Sequence, residues 1–244
     1  MVPSSSKMKP SLLKYSLPLF AVAGLALGVA SGVALVRADE ANGAPDNRYK
    51  VVEPPANYPE DLREALKKVA VPPPPAGATP DKVRVKMDTS RGSITIELDG
   101  KAAPLHVKSF TYLAQKGFYN GTRLHRHADL LGNGEGWIIQ GGDPLSKAPE
   151  TQQYSGVGGP GYQVPRERNS LTHQKLVLAM ARSSAPDSAG SQFYITQNPV
   201  SFLDQGAGYT VFGAVVDGAD NALKLTKDDE IKSVTVEAPV TTPK

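Results

Sequence analysis

From residue 82 onward, apolar residues recur at every second position. "VRVKM" (83–87) and "ITIEL" (94–98) alternate apolar and polar residues around "TSRGS", which predicts a β-hairpin. One stretch then switches to the helical period. Pro104 stands at its start, Val107, Phe110, Leu113 and Ala114 share a face, and Gly117 is the stop. Short apolar stretches separated by turns follow, around "TRLHR", "WIIQ", "LVLAMA", "SQFYITQ" and "YTVFGAVV". A second helical stretch near Gly218 to Leu225 and a last strand, "IKSVTVE", close the chain. Many short strands with few helices argue for an antiparallel barrel or sandwich, and periodicity alone does not separate the two.

Before residue 82 the pattern is different. Lys7, Lys9 and Lys14 precede an uncharged run, Tyr15 to Val36, which ends at Arg37 and the acidic pair Asp39-Glu40. As a helix at about 1.5 Å per residue, that run reaches about 33 Å, enough to cross a bilayer core. The basic residues predict that its leading end stays cytoplasmic and that everything after it is exported. A cleaved signal peptide is the competing reading, with Val36 and Ala38 as small residues at the cleavage site. Residues 39–81 are then rich in proline, ending in "VPPPPAGATP". Pro72 to Pro75 predict a stiff extended stretch unable to join a sheet. Within this segment "PEDLREALKKVA" (59–70) places Leu62, Ala65, Leu66 and Val69 on one face of a short helix. Docking of that helix on the domain or on a partner is the alternative; a short helix is weak alone, so the segment reads first as a spacer that carries a marginal helix. Three parts are therefore expected: residues 1–38 as tip and membrane segment, 39–81 as linker, and 82–244 as the domain.

Composition narrows the chemistry. The chain has 244 residues, enough for one good-sized domain with appendages. Its net charge of +3 comes from scattered Lys and Arg, so a nucleic-acid footprint is absent. It has no cysteine, which removes disulfides, thiol nucleophiles and Cys-based zinc sites. His125 and His127 with Asp129 form a weak metal pattern that arises easily by chance, and no metal or other cofactor is expected. "GVGGPG" (156–161) lacks the Lys-Ser/Thr of a phosphate loop. Ser183, Ser184, Ser188 and Ser191 read as turn residues, with no His placed to activate them.

The informative residues are polar ones inside apolar strands. In "GWIIQGGDP" (136–144), Gln140 follows three large apolar residues and is followed by two glycines and an Asp-Pro turn. Glycines there permit either a strand end or a close backbone approach. Arg126 ends "RLHR", and Gln192 sits beside Phe193 and Tyr194. Three such residues near aromatics point to a cleft with an apolar floor and a few convergent donors.

At this point "RLHR" (123–126), "GWIIQGGDP" (136–144), "LVLAMARS" (176–183), "GSQFYIT" (190–196), "FLD" (202–204) and "YTVFGAVVDG" (209–218) resemble the cyclophilin-type peptidyl-prolyl isomerases, in that family's order. The resemblance runs from about Val83 to Val236, and "APLHVKSFTYLAQKGFYNGT" (103–122) is similar to the family's first helix and turn. It implies an all-β fold: an eight-stranded antiparallel barrel closed by two helices, with the site on the outer face. It implies rotation about X-Pro bonds of Pro-containing polypeptides in assistance of folding, and a monomer is expected; the N-terminal run adds the expectation of a protein tethered in, or released into, the periplasm or cell envelope. By family position, Arg126 and Gln140 are the catalytic pair. Trp137, Ile138, Tyr194 and Leu203 form the proline pocket, while Ala181, Gln192, Phe202 and Tyr209 line the peptide groove.

The reaction needs no nucleophile. Resonance sets a barrier of about 18–20 kcal/mol, and a catalyst must prefer the twisted amide to either planar form. In the twisted state the proline nitrogen regains a lone pair, and a guanidinium beside it can donate to that pair. The chain departs from the family's pattern in three places. "HADLLGNGEG" (127–136) is longer than the usual link, Tyr194 and Tyr209 stand where many members have Phe and His, and Arg182 replaces a common Asn. Phe202 stands where strongly cyclosporin-binding members carry Trp, so only weak drug binding is expected. The rival reading is a tethered binding module that holds Pro-containing chains without useful turnover.

Overall fold

The computed structural model describes residues 44–206 and 208–237. The uncharged run 15–36, with the membrane or signal reading placed on it, lies outside them. Among the described residues no helix is long and apolar enough to cross a membrane.

In chain order the elements are β1 (Lys50–Val51), α1 (Glu60–Val69), β2 (Lys82–Thr89), β3 (Gly92–Asp99), α2 (Pro104–Gln115), β4 (Thr122–Arg123), β5 (Arg126–Asp129), β6 (Trp137–Gly141), β7 (Tyr162–Gln163), β8 (Val177–Met180), β9 (Phe193–Thr196), β10 (Val211–Asp217), α3 (Ala219–Leu223) and β11 (Glu230–Val236). One antiparallel sheet runs β4-β11-β2-β3-β10-β8-β9-β6-β5. β4 and β5 are two halves of one segment broken at Leu124-His125. The first half pairs with β11, Glu230 opposite Arg123, and the second with β6, Arg126 opposite Gln140. One segment therefore ties both edges of the sheet, and the barrel closes with eight stretches of chain.

The hairpin forms where the alternation puts it, with Val85 opposite Ile96 and Met87 opposite Ile94, all buried. These side chains join Leu178, Met180, Phe193, Ile195 and Phe212 inside the barrel, and Phe110 and Leu113 of α2 pack against them. Helix α2 starts at Pro104, which needs no N–H donor in the first turn. Glu167 accepts the next two backbone N–H groups, from Leu105 at 2.8 Å and His106 at 2.9 Å. The partner residues of the alternation point outward. On β6, β8, β9 and β10 they form a second apolar cluster of Ile138, Val177, Ala179, Tyr194 and Val211 on the outer face.

The segment expected to be a spacer is not free over residues 44–81. β1 pairs with β7, Val52 N–H donates to Gly161 O at 3.0 Å, and Val71 N–H donates to Pro160 O at 2.9 Å. Tyr49 is buried in the main core, and its hydroxyl donates to Leu105 O at 2.8 Å. Helix α1 turns Leu62 inward, as its period demands, and Asp61 accepts from Tyr154 at 2.6 Å. The prolines contribute acceptors only: Asp46 N–H donates to Pro74 O at 2.9 Å, and Pro75 bridges Pro45. Tertiary packing thus supplies what a ten-residue helix lacks alone.

Candidate active site

One row of residues crosses the outer face. Register places Arg126 opposite Gln140, Gln140 opposite Tyr194, Tyr194 opposite Ala179, and Ala179 opposite Val211. Cross-strand partners share a face, so the polar end of the row and its apolar middle are neighbours. Arg126 Nη1 donates to Gln140 Oε1 at 3.3 Å, and Gln140 Nε2 donates to Gln192 Oε1 at 3.0 Å. Gln192 Nε2 donates in turn to Gly158 O at 2.8 Å. Both glutamine amides are thereby oriented, and Gln140 is buried. Arg126 has five N–H donors and spends one on this chain. Half-burial pushes its pKa down from the ordinary guanidinium value, and an arginine side chain remains a cation in proteins.

The glycines after Gln140 answer both structural demands. A Cβ on Gly141 would lie 2.6 Å from Leu124 Cδ2. Gly142 has φ +83°, and a Cβ there would meet Ser191 O at 2.4 Å. The strand can end there only because no side chain is present. Asp143 follows as a buried staple, accepting N–H groups of Leu145 (2.8 Å), Gly156 (2.5 Å) and Gly158 (2.9 Å). Burial raises its pKa to about 6 against the pull of those backbone donors. The staple fixes the loop whose Gly158 carbonyl orients Gln192.

Beside the polar row lies the apolar floor. Ile138, Tyr194, Leu203 and Ala181 belong to the outer cluster, with Phe202, Tyr209, Ala128 and Leu130 packed against it. The Tyr194 hydroxyl is turned away from the groove. It bonds His173 Nε2 at 2.7 Å, while His173 Nδ1 bonds Asp204 Oδ1 at 2.5 Å. Burial lowers the His173 pKa more than Asp204 raises it, so the imidazole is neutral. With Nδ1–H donating to the carboxylate, Nε2 accepts the phenol proton.

The comparisons with known proteins agree with this geometry. The profile described as "Cyclophilin type peptidyl-prolyl cis-trans isomerase/CLD" matches residues 84–243, well over half of the chain. The chain belongs to the cyclophilin family. Peptidyl-prolyl cis-trans isomerase A of Dickeya dadantii (strain 3937) is 36% identical over 156 residues, covering 63% of this chain and 76% of that protein. Peptidyl-prolyl cis-trans isomerase B of Bacillus subtilis (strain 168) is 37% identical over 146 residues, covering 59% of this chain and 90% of its own. A Cryptosporidium parvum cyclophilin-type isomerase, solved in the presence of the dipeptide Ala-Pro, superposes with a TM-score of 0.53 at 27% identity, covering 64% of this chain and 99% of that one. The protein is accordingly a cyclophilin-type peptidyl-prolyl cis-trans isomerase.

Most residues singled out from the cyclophilin motifs meet around this row, and one does not. Trp137 lies outside the apolar cluster: Ile138 and Gln140 face the groove, and alternation turns Trp137 to the opposite side. Its ring stands 4.6 Å from that of His127, which bonds Gln197 and Thr226. Leu130 and Ala128 pack against the floor where Trp137 was expected. They follow Arg126 at period two, and that alternation was the available signal. The long link is itself partly strand. His127–Asp129 pairs with 137–139, and Asp129 caps the remaining turn by accepting N–H groups of Leu131, Gly134 and Gly136. Arg182 and Tyr209, both departures from the family pattern, act together: the guanidinium lies 4.3 Å from the centre of the Tyr209 ring. It also donates to Gly208 O at 2.8 Å.

Proposed function

We propose that this chain accelerates X-Pro rotation in exported proteins and so assists their folding, with Arg126 as the donor to the twisted amide. The observation that carries the reading is the row in which a half-buried guanidinium, oriented by Gln140 and Gln192, adjoins the apolar floor of Ile138, Tyr194 and Leu203. A proline ring on that floor brings its nitrogen within reach of Arg126. In the planar amide the nitrogen lone pair is delocalised and accepts poorly; in the twisted amide it is localised and accepts well. The interaction is thus stronger in the transition state than in either ground state, which is the condition for raising kcat. Gln140 holds the guanidinium so that no reorganisation is needed at that moment.

Arg126→Ala should lose activity about 10²-fold or more in a protease-coupled assay with an Ala-Pro peptide, as for removal of one preorganised donor. Its circular dichroism should not change. Wild-type turnover in a folded Arg126→Ala protein would overturn the assignment. Export rests on Lys7, Lys9 and Lys14 ahead of the run Tyr15 to Val36. Resistance to carbonate extraction with the N-terminal lysines retained supports a membrane tether, and a mature soluble N-terminus near Asp39 supports a cleaved signal instead. Recovery of the protein from the cytoplasm alone would refute both.

A further inference from the structure

A cavity of about 460 Å³ lies beside the isomerase row, between the strand break at 124–125, the turn 149–155 and the turn 227–228. Its walls include Arg123, His125, Gln152, Ser155, Lys227 and Asp228. We propose that this cavity is a second subsite of the groove, which takes the carboxylate side chain of an acidic residue near the proline of the client chain. The proposal rests on the isomerase reading above, because the same bound chain fills both places.

Three observations carry it. The first is charge. The Arg123 guanidinium makes one hydrogen bond, 3.1 Å to the Asp228 carbonyl, and has no carboxylate partner among the described residues. Lys227 is paired only with its exposed neighbour Asp228. Two cations against one carboxylate leave the cavity with one net positive charge. The second is His125. Both of its ring nitrogens are buried and neither makes a hydrogen bond of ordinary geometry. Its neighbours are the Gln192 amide and the Arg123 backbone, and that amide also bonds Gly158 O through Nε2 and Gln140 through Oε1. A buried polar group without a well-made partner is destabilising, and a bound acceptor or water relieves that cost. Burial holds the imidazole's pKa at about 4, so at neutral pH it offers one N–H donor. The third is reach. His125 of the cavity wall directly precedes Arg126 in the chain, so a client chain held at Arg126 comes to the cavity within a few residues, each about 3.3 Å when extended.

The wall is polar almost throughout, with Pro149 the apolar exception, so an apolar side chain gains little there. Asp228 sits on the rim with φ +71°, a conformation that non-glycine residues seldom adopt. That conformation puts its carbonyl on Arg123 and its carboxylate beside Lys227.

The test is a panel of Ala-Pro peptides carrying one Glu, or Gln as control, at each position up to four residues on either side of the proline. On the wild-type chain, one position about three residues away should show kcat/KM about 3–10-fold higher for Glu than for Gln, decreasing with salt. In Arg123→Gln with Lys227→Gln, the ratio at that position should fall to about one while the uncharged peptide is turned over as before. Binding of the same peptides, followed by amide shifts of residues 122–125 and 226–229, reads the subsite without turnover. If no peptide is isomerised but the Glu peptide still shifts those amides, the isomerase reading fails and the subsite stands. Glu-to-Gln ratios of one at every position in the wild-type chain, with no Glu-dependent shifts, would overturn the subsite.

Discussion

Replacing Tyr194 by Phe tests how the floor of the groove is held. The hydroxyl donates to His173 Nε2 at 2.7 Å, and His173 is fully buried, with its other nitrogen on Asp204. Phe keeps the ring that stacks on His173 at a centroid distance of 5.8 Å. Among the described residues it removes the only donor to Nε2, on a ring with no exposed surface. An acceptor stranded in this way costs about 1–3 kcal/mol, which for a domain of this size lowers Tm by roughly 2–12 °C. Activity responds differently. The hydroxyl points away from the substrate, so kcat/KM measured well below Tm should stay within about twofold. The control is His173→Leu, alone and combined with Tyr194→Phe. Removing both partners abolishes the stranded acceptor, so the two losses should fail to add by about 1 kcal/mol or more, where independent sites add within about 0.5 kcal/mol. An unchanged Tm in Tyr194→Phe, or additive losses in the pair, would refute the argument that the hydroxyl is there for His173.

Three further outcomes follow from the geometry. The histidines near the site should not gate activity: burial holds His125 neutral down to about 4 and lowers His173 as well, so kcat/KM should be flat from about pH 6.5 to 8, above the titration of Asp143 near 6. An inflection near the ordinary histidine value of about 6.5 would contradict this. Both groups bind more protons unfolded than folded below that value, so stability is full above about pH 6.5 and declines as pH falls toward about 4, as the denaturant midpoint should report. Tyr49→Ala should cost about 3–5 kcal/mol, because it empties a buried ring site and strands the Leu105 carbonyl; a melt within 2 °C of wild type would mean that the strap is not part of the folding unit. Phe202→Trp, which adds an indole donor beside the outer cluster, should bring cyclosporin inhibition to roughly 5–150-fold lower concentration, the equivalent of about 1–3 kcal/mol, and equal inhibition curves would show that Phe202 is not the determinant.

What the sequence made legible, and what it hid, divide along one physical line. Alternation reports which side chains share a face, and it grouped Val85 and Met87 with Ile94 and Ile96, which register and burial put together inside. Motif order then identified Arg126, Gln140, Gln192, Tyr194 and Leu203 as neighbours, which no local pattern reveals because they come from four separate stretches. Trp137 was misplaced because motif position outweighed period. Counted from Gln140, an odd step turns it away, while Ala128 and Leu130, at even steps from Arg126, turn in.

The strap was misjudged for a different reason. Read alone, residues 44–81 combine a short helix with prolines, and neither holds a structure in water. Their stability comes from groups more than fifty residues away: the Leu105 carbonyl for Tyr49, the carbonyls of Pro160 and Gly161 for Val71 and Val52, and Tyr154 for Asp61. Pro160 and Gly161 lie just past the loop that Asp143 staples and whose Gly158 carbonyl orients Gln192. The strap therefore braces, through its two backbone hydrogen bonds, the far end of the chain of contacts that begins at Arg126. A segment that looks like a tether in sequence is in the folded chain a support for the loop behind the row of Arg126, Gln140 and Gln192.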